Sequence, residues 1–240
     1  MKRLTVKGAE LLAESFRAKN ELNLKEPIGV KTLLRKLGIT AMYRPLSKDS
    51  YGISCKSKNG RMFMLINSNS TRGRQHFTIA HELYHLCYDV SPAPHMCGGV
   101  SVGIEREANL FASALLLPKE GLLSMISDKE VIDCSVKLST VLRIEQMYEV
   151  SRINLLLRLK DIGLMSERQL AKMRDIPVKT SAREYGYDLS LYESGNEGVV
   201  ISDFGEKARL LYEQGKISEG HYVELLNLIS DRNGQNQDCA

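Results

Sequence analysis

In the run HFTIAHELYHL (His76–Leu86), two of the chain's five histidines stand four residues apart, with a glutamate directly after the first. The residues around them are apolar: Phe77, Ile79, Ala80, Leu83, Leu86 and Cys87. A helix that is apolar on every side is a buried helix. Imidazoles and a carboxylate on such a helix need partners, because an unpaired buried polar group costs about 1–3 kcal/mol and a charge more. Residues four apart on a helix stack with about 5–6 Å between Cβ atoms. His81 and His85 can therefore aim ring nitrogens at one point, and a single metal ion satisfies both. The competing readings are solvated surface imidazoles and core histidines satisfied by hydrogen bonds. Neither accounts as well for the buried surroundings. This stretch constrains the fold most, since a second element must bring the remaining ligand to a buried helix.

Zinc accepts imidazole nitrogen at about 2.0–2.1 Å, and a catalytic zinc keeps three protein ligands plus a water. Glu82 follows the first histidine, so its carboxylate reaches the water side of the ion rather than the ion itself. This is the H-E-x-x-H arrangement, in which the glutamate serves as general base. The longer metzincin form needs glycine and histidine three and six residues after the second histidine. Tyr88 and Ser91 stand there instead, which excludes it. His95 and Cys97, in a loop with two prolines and three glycines, are possible third ligands. The next helix, EREANLFASALLLP (Glu105–Pro118), offers two glutamates. Glu105 shares a face with Ala108, Asn109 and Ala112, small enough for close helix approach. Asn109, one turn on, is placed to orient a histidine ring from behind. Glu107 shares a bulkier face with Leu110, Phe111 and Ala114, suited to packing. Glu105 is favoured, with Glu107 the alternative.

Taken together, MLINS, RQHFTIAHELYH and EREANLFASALLLP, over roughly Met62–Pro118, resemble the ImmA/IrrE metallopeptidases of bacteria, their phages and mobile elements. One departure is Tyr84, where that family often has glycine. The resemblance implies Glu105 as the zinc glutamate and Asn109 as its support. It also implies a substrate: a helix-turn-helix repressor of a prophage, mobile element or stress regulon, whose cleavage derepresses genes.

Periodicity places helices over Val6–Lys19 and Val30–Leu37, then strands over Ile39–Tyr43, Tyr51–Cys55 and Arg61–Ile66. Lys58-Asn59-Gly60 is a hairpin signal between the last two. If Arg61–Ile66 lies at the sheet edge, it can hold a substrate backbone as an added strand. A helix over 72–88 follows, then a loop over 89–103, a helix over 104–117 closed by Pro118, and a turn or two of helix over 119–126. The fold class expected is α+β: a small sheet with zincin-type helices, then helical modules. The domain organisation expected is a metallopeptidase unit over 1–130, a helix-turn-helix-like module over 131–165, and a C-terminal helical region over 166–240 with a disordered tail from Asp231.

In the middle module, Leu138–Tyr148, the turn Glu149-Val150-Ser151 and Arg152–Ile162 have helix-turn-helix spacing, with Ser151 as N-cap. Arg152, Asn154, Arg158 and Lys160 can face phosphates or bases. Consecutive Leu155, Leu156 and Leu157 argue instead for packing, so DNA binding is expected to be weak or absent. The charge is uneven: residues 1–74 carry 16 Lys and Arg against 5 acids, and the remainder 17 against 24. No dense basic cluster forms. Five scattered cysteines without CxxC spacing read as reduced thiols, and no run approaches the ~18–20 apolar residues of a membrane span. A cytoplasmic protein is expected. The function expected is zinc-dependent endopeptidase cleavage with Glu82 as base. Tyr88 is a possible oxyanion donor. The rival is a regulatory protein with a purely structural zinc that grips repressor or DNA. The intact H-E-x-x-H favours the enzyme, since a structural site has no use for a general base.

Overall fold

The computed structural model describes residues 4–89, 95–97 and 103–234, with main chain alone at 95–97 and 228–234. The fold is α+β, with a small mixed sheet and helices that cover it. Helix α1 (Val6–Lys19) begins at Thr5, whose hydroxyl accepts from the Gly8 amide, and buries Ala9, Ala13 and Phe16. Helix α2 (Val30–Lys36) ends at Gly38, whose φ of +65° is the left-handed stop expected of glycine. Strands β1 (Ile39–Arg44), β2 (Gly52–Lys56) and β3 (Met62–Asn67) follow.

The strands β2 and β3 pair antiparallel around the Asn59-Gly60 turn, and β1 runs parallel to β3 with Ile39 opposite Met62. Two short strands complete the sheet. β4 (His95–Cys97) pairs with β2, and β5 (Val200–Ile201) pairs with β1. The order is β4-β2-β3-β1-β5. The strand expected as a possible edge is thus internal: β3 has β2 on one side and β1 on the other, so its backbone groups are already paired and it cannot accept an added strand. The loop expected over 89–103 likewise carries β4, while the rest of it, 90–94 and 98–102, lies outside the described residues.

Helix α3 (Arg72–Tyr88) lies on one face of the sheet, where Met64 and Ile66 meet Ile79 and Leu83. Helix α4 (Ile104–Leu116) packs on α3, and α1 packs on α4, with Phe16 and Phe111 edge to face at 5.8 Å. The C-terminal end of α4 is held by two buried guanidiniums. Arg17 donates to the Leu115 carbonyl at 2.9 and 2.6 Å and to the carbonyls of Asn23 and Glu26. Arg158 donates to the Leu117 carbonyl at 3.0 Å and pairs with Glu10 at 3.1 Å. Positive charge at that end opposes the partial negative charge of the helix terminus. It fixes the helix whose other end carries Glu105.

Short helices α5 (Lys119–Met125) and α6 (Asp128–Ile132) lead to α7 (Leu138–Tyr148) and α8 (Arg152–Asp161), joined by Glu149-Val150-Ser151. Then come α9 (Glu167–Arg174), α10 (Val178–Glu184), a 3₁₀ turn at Ser190–Tyr192, β5, α11 (Phe204–Glu213) and α12 (Glu219–Gly234). The first four residues of the tail expected to be disordered, 231–234, thus belong to α12, while 235–240 lie outside the described residues. One continuous core runs from Ala13 to Ile201. The C-terminal region therefore supplies a strand to the sheet. No helix among the described residues is long and apolar enough to cross a membrane.

Two of the cations offered to DNA by the sequence point inward. Arg152 and Arg158 are each 3% exposed. Arg152 forks onto Glu145 at 2.5 and 3.3 Å and donates to Ser181 Oγ at 3.1 Å, while Tyr192 donates to the same Glu145 at 2.8 Å. Lys160 pairs with Glu167 at 3.2 Å. The α7–α8 turn is also occupied: it abuts the first turn of α3, where a Cβ on Gly73 would sit 2.8 Å from the Ser151 amide nitrogen.

Candidate metal centre

Helix α3 brings His81, Glu82 and His85 to its junction with α4, at 5%, 0% and 5% exposure. The helices approach closely because Ala108 and Ala112 on α4 are small and wholly buried. Glu105 lies in the first turn of α4, where the helix dipole favours an ionised carboxylate. Its Oε2 is 3.2 Å from His81 Nε2, and its Oε1 is 3.8 Å from His85 Nε2. The two Nε2 atoms are 3.1 Å apart. Ligand atoms of His81, His85 and Glu105 all fall within 4.8 Å of one another.

The far side of each ring explains why the Nε2 atoms converge. His81 Nδ1 is 2.9 Å from Asn109 Oδ1, and His85 Nδ1 is 3.3 Å from Asp89 Oδ2. Both partners present oxygen acceptors, so both rings carry their proton on Nδ1 and turn Nε2 lone pairs toward each other. Two lone pairs at 3.1 Å repel unless a positive charge lies between them. Ligands at about 2.0–2.1 Å on a tetrahedral ion stand about 3.3 Å apart. The observed 3.1 and 3.2 Å separations fit that spacing, and 3.8 Å is slightly wide of it. The donor set, two neutral imidazoles and a carboxylate, suits a divalent ion of zinc's kind.

Glu82 stands outside this set of three and lies against β2. A Cβ on Gly52 would come within 3.0 Å of Glu82 Oε1 and 2.6 Å of the Thr78 methyl. Glycine at 52 is therefore what lets α3 settle on the sheet with the carboxylate in place. Glu107, the alternative third ligand, turns elsewhere. It accepts from the Tyr84 hydroxyl at 2.9 Å and from the Leu4 amide at 2.9 Å. Burial, together with this carboxylate, pushes the Tyr84 hydroxyl above the ordinary tyrosine range. Tyr84, the residue at which the sequence departs from the pattern it resembles, thus has a partner of its own on α4.

The Tyr88 ring packs against Phe111 and Tyr84, at centroid separations of 5.3 and 5.7 Å. His95 and Cys97 lie on β4, and their side chains are outside the described part. Two residues were missed by the sequence reading. Asp89 stands one helical turn after His85, a spacing that could have revealed it. Gly52 gave no signal, because its role depends on what packs over the strand. Residues 34–160, more than half of the chain, match the family model of the IrrE N-terminal-like domain, Peptidase M78. A search of curated proteins found no match.

Proposed function

The chain belongs to the IrrE N-terminal-like peptidase family, and we propose that it is a zinc-dependent endopeptidase, with His81, His85 and Glu105 holding the ion and Glu82 as general base. The observation that carries this reading is the convergence of the three ligand atoms within 4.8 Å, beside a buried glutamate that is not one of them. Zinc at such a site supplies Lewis acidity, which polarises a carbonyl and eases deprotonation of water. The residues of the chain do the rest. Asn109 and Asp89 fix both imidazole planes and tautomers. Glu82, braced over Gly52, takes a proton from the attacking water and returns it to the departing amine, a transfer typically worth about 10²–10⁴-fold in rate. Burial of the site keeps bulk water from competing for these groups.

A peptide needs a place to lie. In this reading it is the outer side of β4, the end of the sheet beside β2, where Cys97 pairs with Gly52, the strand residue against which Glu82 lies. An extended substrate adds there as a further strand. Following the resemblance to ImmA/IrrE proteins, the proposed substrate is a helix-turn-helix transcriptional repressor. Its cleavage in the cytoplasm derepresses genes. DNA affinity of the chain itself is proposed to be weak, since Arg152 and Arg158 are committed to internal partners.

The test is Glu82→Gln, assayed against the repressor encoded beside the gene. Metal content and folding should stay as in the parent, while cleavage falls by about 10²–10⁴-fold. Cleavage at the parental rate would place the activity elsewhere. The protein would then be a binding protein with a structural metal.

A further inference from the structure

Away from the metal centre, a cleft of about 450 Å³ opens where five segments meet: the start of α2, the first turn of α3, the end of α7, the 3₁₀ turn and the loop at Asn196. The geometry points to a binding site here for a small organic anion, a phosphate or carboxylate ester or acid of metabolite size. Its volume lies within the ~300–1,000 Å³ of small-molecule sites and is far more than a bare inorganic ion needs.

The sign of the ligand follows from which groups in the cleft are already engaged. Two acids face it, and both are occupied. Glu149 lies 3.5 Å from His76 Nδ1, a nitrogen that is also 3.1 Å from the Glu149 carbonyl. The Asp188 carboxylate accepts from the Ser190 amide at 3.1 Å and from the Ser190 hydroxyl. Lys31 and Arg72 form no ion pair within 4.0 Å among the described residues; Arg72 stands near enough to Asp188 to help lower its carboxyl, but Arg72 Nε is buried without a hydrogen-bond partner. Gly195 leaves the room this guanidinium occupies, since a Cβ there would fall 3.0 Å from Arg72 Nε. What the cleft offers is therefore unfilled hydrogen-bond donors, the Arg72 Nε–H among them, beside the Lys31 ammonium. A guanidinium and an ammonium together suit an anionic oxygen group.

The site does not depend on peptidase activity. A ligand seated in it would touch Arg72 and His76 on the same helix that carries His81. It would also touch Glu149 in the α7–α8 turn.

Calorimetric titration of the full chain at low salt tests this with three probes: adenosine monophosphate, citrate and uncharged adenosine. Saturable binding of the monophosphate or of citrate is expected, with adenosine failing to bind. Whichever anion binds identifies the phosphate or the carboxylate source. Arg72→Gln should weaken that binding by at least about tenfold, as expected for losing a hydrogen bond to a charged group. Lys31→Gln, at an exposed position where folding is not at stake, should weaken it too and reduce its salt dependence. No saturable binding of either anion by the parent would overturn the proposal. So would binding by adenosine equal to that of its monophosphate, or affinities in both variants equal to the parent's.

Discussion

Two regions of this molecule bury polar side chains to nearly the same depth, and they treat them oppositely. Between α7, α8 and the 3₁₀ turn, Glu145 meets Arg152 and Tyr192, and Arg152 also donates to Ser181, so each charge is answered from within the chain. Burial raises the Glu145 carboxyl, and Arg152 and Tyr192 pull it back. Between α3 and α4, the acceptors Asn109 and Asp89 sit behind the rings, and the Nε2 lone pairs of His81 and His85 face each other across 3.1 Å with a carboxylate beside them. The first arrangement is complete as it stands. The second gathers electron-rich atoms around one point and calls for a cation. Burial alone therefore says little about function. The sign of the groups that converge says much more.

The largest expected effect comes from emptying that point. Glu105→Gln should abolish metal binding, read as metal per chain after dialysis, because a neutral amide replaces the charged ligand. Glu107→Gln should keep the metal and lose only some stability, since it weakens the bonds to Tyr84 and Leu4 rather than a ligand. If Glu107→Gln sheds the metal while Glu105→Gln retains it, the α4 contacts have been assigned to the wrong glutamate.

In the complete arrangement, Arg152→Met should leave the metal in place and destabilise the fold. The Glu145 carboxylate would stay buried without its guanidinium, a loss of about 3–5 kcal/mol in denaturant unfolding. Adding Glu145→Gln to that variant should recover part of it, because the stranded charge is gone. A folded Arg152→Met protein that had lost its metal would show the two regions to be coupled, and the contrast between them would fail.

Much of this was legible in the sequence, for identifiable reasons. The helices over 6–19, 72–88 and 138–148 fell where periodicity placed them, because each has apolar positions that face the core. The histidine pair was legible as a candidate because four-residue spacing fixes a shared helix face. Glu105, favoured over Glu107 for its small neighbours, Asn109 on the same face and the family resemblance, is the glutamate that lies beside the two rings. The sheet order was not. A strand's own residues do not name its neighbours, though the unbroken apolar run MFMLI hinted that β3 is internal. β4 and β5, at three and two residues, are too short to show any period. The inward turn of Arg158 was hidden for another reason. Its partners, Glu10 and the Leu117 carbonyl, lie far away in the chain, and a cation on a helix reads by default as solvated.

A smaller effect sharpens the metal side. Asn109→Ala removes the acceptor behind His81 and frees its tautomer, so metal affinity measured by chelator competition should fall about 10–100-fold without loss of the site. Asp89→Asn should cost less, because an amide oxygen can still accept from His85 Nδ1. Parental affinity in both variants would mean that the rings are held by helix packing alone.

The smallest expected effect tests the complete kind of site through pH. Glu130, at the start of α6, would be raised by burial. The amides of Lys137 and Ser127 and the hydroxyls of Ser127 and Thr140 all donate to it, and they hold it at about 2 against an ordinary 4.5. A carboxylate whose folded pKa is depressed contributes stability that is fully present above its unfolded value. That contribution drains away as pH falls from about 4.5 toward about 2. Glu130→Gln removes the titrating group and turns an NH₂ toward donors, so it should cost stability at pH 7 and have a shallower acid limb than the parent. The two proteins should draw together near pH 2, where the parental carboxyl is itself protonated. A gap between them that stays constant from pH 7 to pH 2 would mean that Glu130 acts by shape alone. A buried acid met by four donors would then not be the self-sufficient charge site that Glu145 and Arg152 exemplify.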